Sequence, residues 1–89
     1  VEVDFSGYTA KLDGKPVDMN AKEVEILKYL SENEGRALSR TQILDHVWKE
    51  TEEIPFDIVI DVYIKELRRK LKLDCIFTIR NVGYKLEKE

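Results

Sequence analysis

The sequence predicts an α+β fold in the order small antiparallel sheet, three helices, hairpin. Three observations carry this. Apolar residues alternate at a two-residue period in the first nineteen residues and again in the tail after Asp74. Between these stretches they recur at helical spacing in three segments, and a capping, turn or loop signal stands at the boundaries. Eighty-nine residues make one domain, 1–89, and a chain of this length holds one modest core.

The first group reads as short strands. VEVDF alternates apolar and acidic positions, Ser6-Gly7 breaks it, YTAKL follows, Asp13-Gly14 is a hairpin signal and KPVDM closes the group. Asn20, three residues before Glu23, is an N-cap with a reciprocal partner, and Val24, Leu27 and Leu30 follow at helical spacing to a stop near Asn33–Gly35. Ser39 and Gln42 form a capping box ahead of the stripe Ile43, Leu44, Val47 and Trp48. Residues 49–57, KETEEIPFD, show no period and contain Pro55, so they read as a loop, with Asp57 available to cap the next element. The segment IVIDVYIKELRRKL, about 57–72, is rich in β-branched residues, yet Ile60, Ile64, Leu67 and Leu71 are spaced 4, 3, 4. Burial of such a stripe, at ~1.5–3 kcal/mol per large side chain, outweighs the tenths of a kcal/mol that each β-branched residue costs a helix. CIFTI and GYKLE then return to the two-residue period around Asn81-Val82-Gly83, giving a hairpin over about 76–87.

Composition narrows the function. The chain is 43% hydrophobic and 37% charged, as globular chains are, and no apolar run approaches the ~20 residues of a membrane helix. One cysteine, Cys75, forms no internal disulfide, so a reducing, cytoplasmic setting is expected. VEVDFSGY lacks a basic leader, and a start at Val1 reads as an excised domain. The sequence has no H-x-x-H, H-E-x-x-H, G-x-S-x-G or Gly-rich phosphate loop. His46 and Cys75 read as structural residues, and neither an enzyme, a metal nor a cofactor is expected.

Net charge is −3, but it is unevenly placed: residues 1–64 balance at −7 and residues 65–89 at +4. If the third helix buries its apolar stripe, the opposite side presents Val59, Val62, Tyr63, Glu66, Arg69 and Lys70, with Lys65, Arg68 and Lys72 along the flanks. Major-groove insertion needs one packed face and a free face rimmed by cations. A solvated surface helix looks the same from the helix alone, because Lys and Arg are commonly exposed. Arg80 and Lys85 beside the tail turn favour the nucleic-acid reading, since a long cation there reaches an adjacent minor groove.

Three stretches in order, LSRTQILDHVW (38–48), DVYIKELRRKL (61–71) and TIRNVGYKL (78–86), resemble the winged helix-turn-helix output domain of the OmpR/PhoB family of bacterial response regulators. The likeness runs over about residues 2–86. It implies a four-stranded N-terminal sheet, three helices and a hairpin wing, with a receiver domain upstream and a sensor histidine kinase acting on it. It also implies binding to double-stranded promoter DNA, commonly as two protomers, and regulation of transcription. Carried over by position, Val59, Val62, Tyr63 and Glu66 face bases, joined by Arg69 from the free face; Trp48, Lys65, Arg68, Thr78 and Tyr84 contact phosphates; and Arg80 enters the minor groove. The loop 49–57 corresponds to the segment with which some relatives touch RNA polymerase.

Four departures from the family pattern bear on base preference. Glu66 stands where relatives often carry Arg, which sets an anion before a polyanion, although a carboxylate accepts from a cytosine amino group. Ile58 and Val59 replace residues that are commonly polar and leave apolar contact, for example with a thymine methyl. The loop after Trp48 is one residue longer than usual. Asn81 replaces a usual Gly and tolerates the same left-handed conformation. Glu66, the acidic first 64 residues and the apolar Ile58–Val62 surface also motivate an alternative, a winged-helix protein-interaction module with weak or no DNA affinity.

Overall fold

Three helices pack pairwise around one apolar core in the computed structural model, which describes residues 2–49 and 55–87. Strands β1 (Glu2–Asp4), β2 (Thr9–Leu12) and β3 (Lys15–Val17) form an antiparallel sheet in that order. The β1–β2 connection is closed by Asp4, whose Oδ1 accepts from the backbone of Ser6 and Gly7. The β2–β3 turn is tight: Asp13 and Gly14 take φ of 53° and 79°, and Leu12 pairs with Lys15. This is the two-residue turn whose positive φ values suit Asp-Gly.

The family likeness implies four strands in this sheet, and the described residues form three. Residues 5–8 are turn, and Asp18–Asn20 lead unpaired into the next helix, because Asn20 is committed to capping it. Asn20 Oδ1 accepts from the Lys22 amide at 2.8 Å and Glu23 Oε1 accepts from the Asn20 amide at 3.0 Å. Helix α1 (Ala21–Glu32) buries Val24, Ile26, Leu27 and Leu30 and stops at Asn33.

A two-residue strand, β4 (Leu38–Ser39), precedes α2 (Arg40–Val47). It is absent from the sequence-based expectation, because two residues are too few to show a period. Ser39 serves two elements at once. It pairs with Gly83 of the tail hairpin, and its Oγ accepts from the Gln42 amide at 3.0 Å to start α2. Helix α3 (Ile58–Leu71) buries Ile60, Ile64, Leu67 and Leu71, the stripe the spacing predicts. Its start differs from expectation. Asp57 sits in the helical region (φ −62°, ψ −20°) and makes no side-chain cap, since capping geometry needs an extended residue there. The first turn closes instead through Val59 and Ile60 amides donating to the carbonyls of Phe56 and Asp57.

Strands β5 (Ile76–Ile79) and β6 (Gly83–Leu86) form the tail hairpin and join β4 in the order β4-β6-β5. Asn81 at its tip takes φ of 64°, as its tolerance for that region allows. At Gly83 the need for glycine is a close approach: a Cβ would lie 2.1 Å from the Leu38 carbonyl oxygen.

Candidate nucleic-acid interface

Four core residues of α3 fix its orientation, and the residues half a turn away form its outermost line: Ile58, Val62, Lys65 and Arg69. Ile58 and Val62 are 66% and 56% exposed, unusual values for aliphatic residues on an ordered helix. One edge of this face is bounded by the wing, the other by α1 and α2.

On the wing side, Asp61 ties three elements together. Its Oδ1 accepts from Arg40 Nε of α2 at 2.7 Å and from the Tyr84 hydroxyl of β6. Burial pushes the Asp61 carboxyl up, but the hydrogen bonds from Tyr84 and Arg40 prevail and hold it below the usual carboxylate range. Tyr84 is shifted upward, by burial first and then by its bond to Asp61. The guanidinium carbons of Arg40 and Arg68 lie 5.6 and 5.8 Å from the Tyr84 ring centre. Arg68 also donates to the Ile76 carbonyl at 2.8 Å and Thr78 Oγ1 at 3.0 Å, so α3 and β5 are held edge to edge.

On the other side, Tyr63 packs against Trp48, with ring centres 5.7 Å apart, and Val59 is half-buried beside it. Lys70 turns inward, and its Nζ meets Glu23 Oε1 at 2.8 Å. Glu23 is 3% exposed, so this pair is largely removed from water. The expectation that Lys70 belongs to the free face is therefore corrected: the buried carboxylate that caps α1 takes it. At the C-terminus of α2, Lys22 donates to the Val47 carbonyl at 3.0 Å and lies 5.2 Å from the Trp48 ring.

Glu66 does not face outward as a naked anion. Arg69 clasps its Oε2 through Nη2 at 2.5 Å and Nε at 3.1 Å. That hydrogen bond holds the Glu66 carboxyl below its ordinary range, even against desolvation.

The residues expected at the site thus fall into groups. Val62, Glu66 and Arg69 lie on the free face, with Lys65 beside them, and Val59 and Tyr63 lie on its α2 edge. Arg68 and Thr78 meet at the wing edge, and Arg80 is exposed at the wing turn. Trp48 and Tyr84 are 7% and 5% exposed and belong to the core margin, with the Tyr84 proton given to Asp61. Ile58, expected only as an apolar departure near the helix start, stands on the outermost line of α3, a place visible in helical spacing. The Arg40–Asp61–Tyr84 junction has no local sequence signal. The loop expectation at 49–57 falls mostly on residues 50–54, outside the described residues; Phe56, beside them, is 86% exposed.

Away from this face, His46 stacks flat on Tyr29, with ring centres 3.9 Å apart. It lines a groove of about 320 Å³ with Glu25, Lys28 and Glu32, none of whose lining residues comes from α3 or the wing. Cys75 is half-buried against the core. Among the described residues, no group of His, Cys, Asp and Glu could hold a metal ion, and no helix is long and apolar enough to cross a membrane.

Residues 14–86 match the family described as "Transcriptional regulatory protein, C terminal". The chain is 46% identical over 86 residues to Response regulator RR06 of Streptococcus pneumoniae, covering 97% of this chain and 40% of that protein. Among solved structures it superposes with TM-score 0.82 and 33% identity on Response Regulator DrrB, described as a Thermotoga maritima OmpR/PhoB homolog, covering 97% of this chain and 41% of that one. The DNA-binding domain of Bacillus subtilis CssR matches with TM-score 0.83 and 27% identity over 96% of this chain and 97% of that domain. The chain spans about 40% of the length of the curated relatives it matches.

Proposed function

This chain belongs to the C-terminal domain family of transcriptional regulatory proteins, of the OmpR/PhoB response-regulator type, and on that premise we propose how it binds DNA. It is a sequence-specific DNA-binding output domain that regulates transcription. Helix α3 enters the major groove of double-stranded promoter DNA, and Arg80 on the wing reaches the adjacent minor groove. Val59, Val62, Tyr63, Glu66 and Arg69 meet bases. Lys65, Arg68 and Thr78 meet phosphates, with Trp48 and Tyr84 behind them at the groove edges. The observation that carries this is the free face of α3: its outermost line is exposed from Ile58 to Arg69 while the opposite stripe is fully buried.

The relatives' length and names support a receiver domain preceding this one, with a sensor histidine kinase as its partner, in the cytoplasm. Pairing of two protomers on DNA and contact of loop 49–57 with RNA polymerase are part of the same reading. The exposed Phe56 and Ile58 favour one alternative, a surface for another protein with little DNA affinity.

Titration against promoter-length duplexes at several salt concentrations separates the two. Of the described cations after residue 64, Arg69, Lys70 and Lys85 have carboxylate partners, which leaves Lys65, Arg68, Lys72 and Arg80. Neutralising about four phosphates per protomer gives a slope of log K on log salt near −3 to −4. A flat response would sink the DNA reading and favour the protein surface.

A further inference from the structure

We propose that Glu66 and Arg69 act as one reading unit for a C·G base pair, with Ile58 and Val62 contacting a thymine methyl nearby. This rests on the reading of α3 as the groove helix. The pair contributes nothing visible to the fold: both side chains stand on the solvent side of α3, and among the described residues they hydrogen-bond only to each other. An exposed ion pair one turn apart stabilises a helix little.

Its geometry, however, sorts the remaining hydrogen-bonding groups. Arg69 spends Nε and one Nη2 hydrogen on Glu66 Oε2. The guanidinium keeps the outer Nη1/Nη2 fork, the edge that binds guanine O6 and N7 together. Glu66 keeps Oε1, an acceptor without a partner among the described residues. One acceptor beside a two-pronged donor matches a C·G pair, which presents the cytosine amino donor next to the two guanine acceptors in the major groove. The arrangement also explains how an anion is tolerated there: Arg69 offsets its charge before any phosphate approaches.

The apolar part of the face fits the same surface. Val62 precedes Glu66 by one turn, a rise of about 6 Å, or about two base-pair steps. Ile58 lies a further turn back. Neither offers a polar atom, and the one apolar group on a base edge in the major groove is the thymine methyl.

The test is a selection from random duplexes with the 89-residue chain, followed by titration of duplexes changed at single positions. Wild type should favour one C·G pair by about 5- to 150-fold, with a thymine two to four steps away. Glu66→Ala and Arg69→Ala should each remove the preference at that pair, and the double variant should lose no more than either alone. Glu66→Gln should shift the preference toward A·T, since an amide pairs bidentately with adenine. Lys65→Ala should weaken all duplexes evenly. If Glu66→Ala tightens every duplex equally and leaves the preference intact, the unit is refuted and only a charge remains. Loss in Arg69→Ala with an unchanged preference in Glu66→Ala also refutes it. Failure of wild type to bind any duplex removes both this proposal and the DNA reading beneath it, whereas intact preference in the variants removes this proposal alone. Thermal melts of each variant, matched to wild type, exclude unfolding as the cause.

Discussion

Tyr84→Phe removes one oxygen from the junction that joins α2, α3 and the wing, and it keeps the ring between Arg40 and Arg68. The lost bond runs from a hydroxyl on a 5% exposed residue to a carboxylate. Hydrogen bonds to charged groups contribute ~1.5–3 kcal/mol net. Here the value falls below that range, because Asp61 keeps Arg40 at 2.7 Å and its side chain is 37% exposed, so water can fill the vacated acceptor site. The expected loss at pH 7 is about 1 kcal/mol, which lowers Tm by about 4–8 °C in a domain this small. The sign of the pH dependence follows from the shifts. Asp61 is held low when folded, so its contribution is complete above the unfolded carboxyl range near ~3.9 and is lost as pH falls through the lower folded value. Tyr84→Phe, with part of that contribution already gone, should therefore converge on wild type as pH drops from about 5 to 2.5. At the alkaline end Tyr84 is held high, so its contribution is present below about pH 10 and fades as pH rises through the folded value; the variant lacks this fade. Urea melts of both proteins across pH provide the measurement. An unchanged gap between pH 7 and pH 2.5, or no gap at pH 7, would refute the assignment of the Tyr84 proton to Asp61.

Gly83→Ala should destabilise by about 3 kcal/mol or more, since a Cβ 2.1 Å from the Leu38 carbonyl oxygen must separate β4 from β6; a urea midpoint within error of wild type would contradict it. Lys70→Met leaves the Glu23 carboxylate buried without its cation and should cost about 3 kcal/mol, most of it recovered by adding Glu23→Gln. If the double variant is no more stable than the single, the cost lies elsewhere. Arg80→Ala should reduce the salt slope by about 1 and weaken binding most on sites with an A·T-rich flank, where the narrow groove attracts cations; equal loss on G·C-rich flanks would count against minor-groove insertion.

Local periodicity accounts for most of the fold that is legible in the sequence. The stripe Ile60, Ile64, Leu67 and Leu71 locates α3 against its β-branched composition, and the reciprocal caps Asn20/Glu23 and Ser39/Gln42 begin α1 and α2 where the side chains indicate. Residue by residue, the N-terminus also contains three strand-like pieces, the number observed, while the family pattern suggests four. What escapes has no local signature. Strand β4 exists because Gly83 lets β6 come within reach of Leu38, a contact that spans half the chain. Asp57 is a good capping residue by type, but its own backbone is helical, so type alone misleads.

The same limit explains why the charge of the candidate site is legible only in outline. The excess of cations after residue 64 points to α3 and the wing, yet a count assigns every lysine and arginine to the surface. Long-range pairing decides which remain available. Lys70 is taken by a carboxylate 47 residues earlier, and Tyr84 by one 23 residues earlier. Arg69 is taken by Glu66 within one turn. The Lys70 and Arg69 pairings lower the charge offered to phosphate, while the Tyr84 bond holds the wing against α3 without using a cation. An acidic domain can therefore meet a polyanion through the few cations left without a carboxylate, and its salt response should follow those few and not the formal charge of the segment.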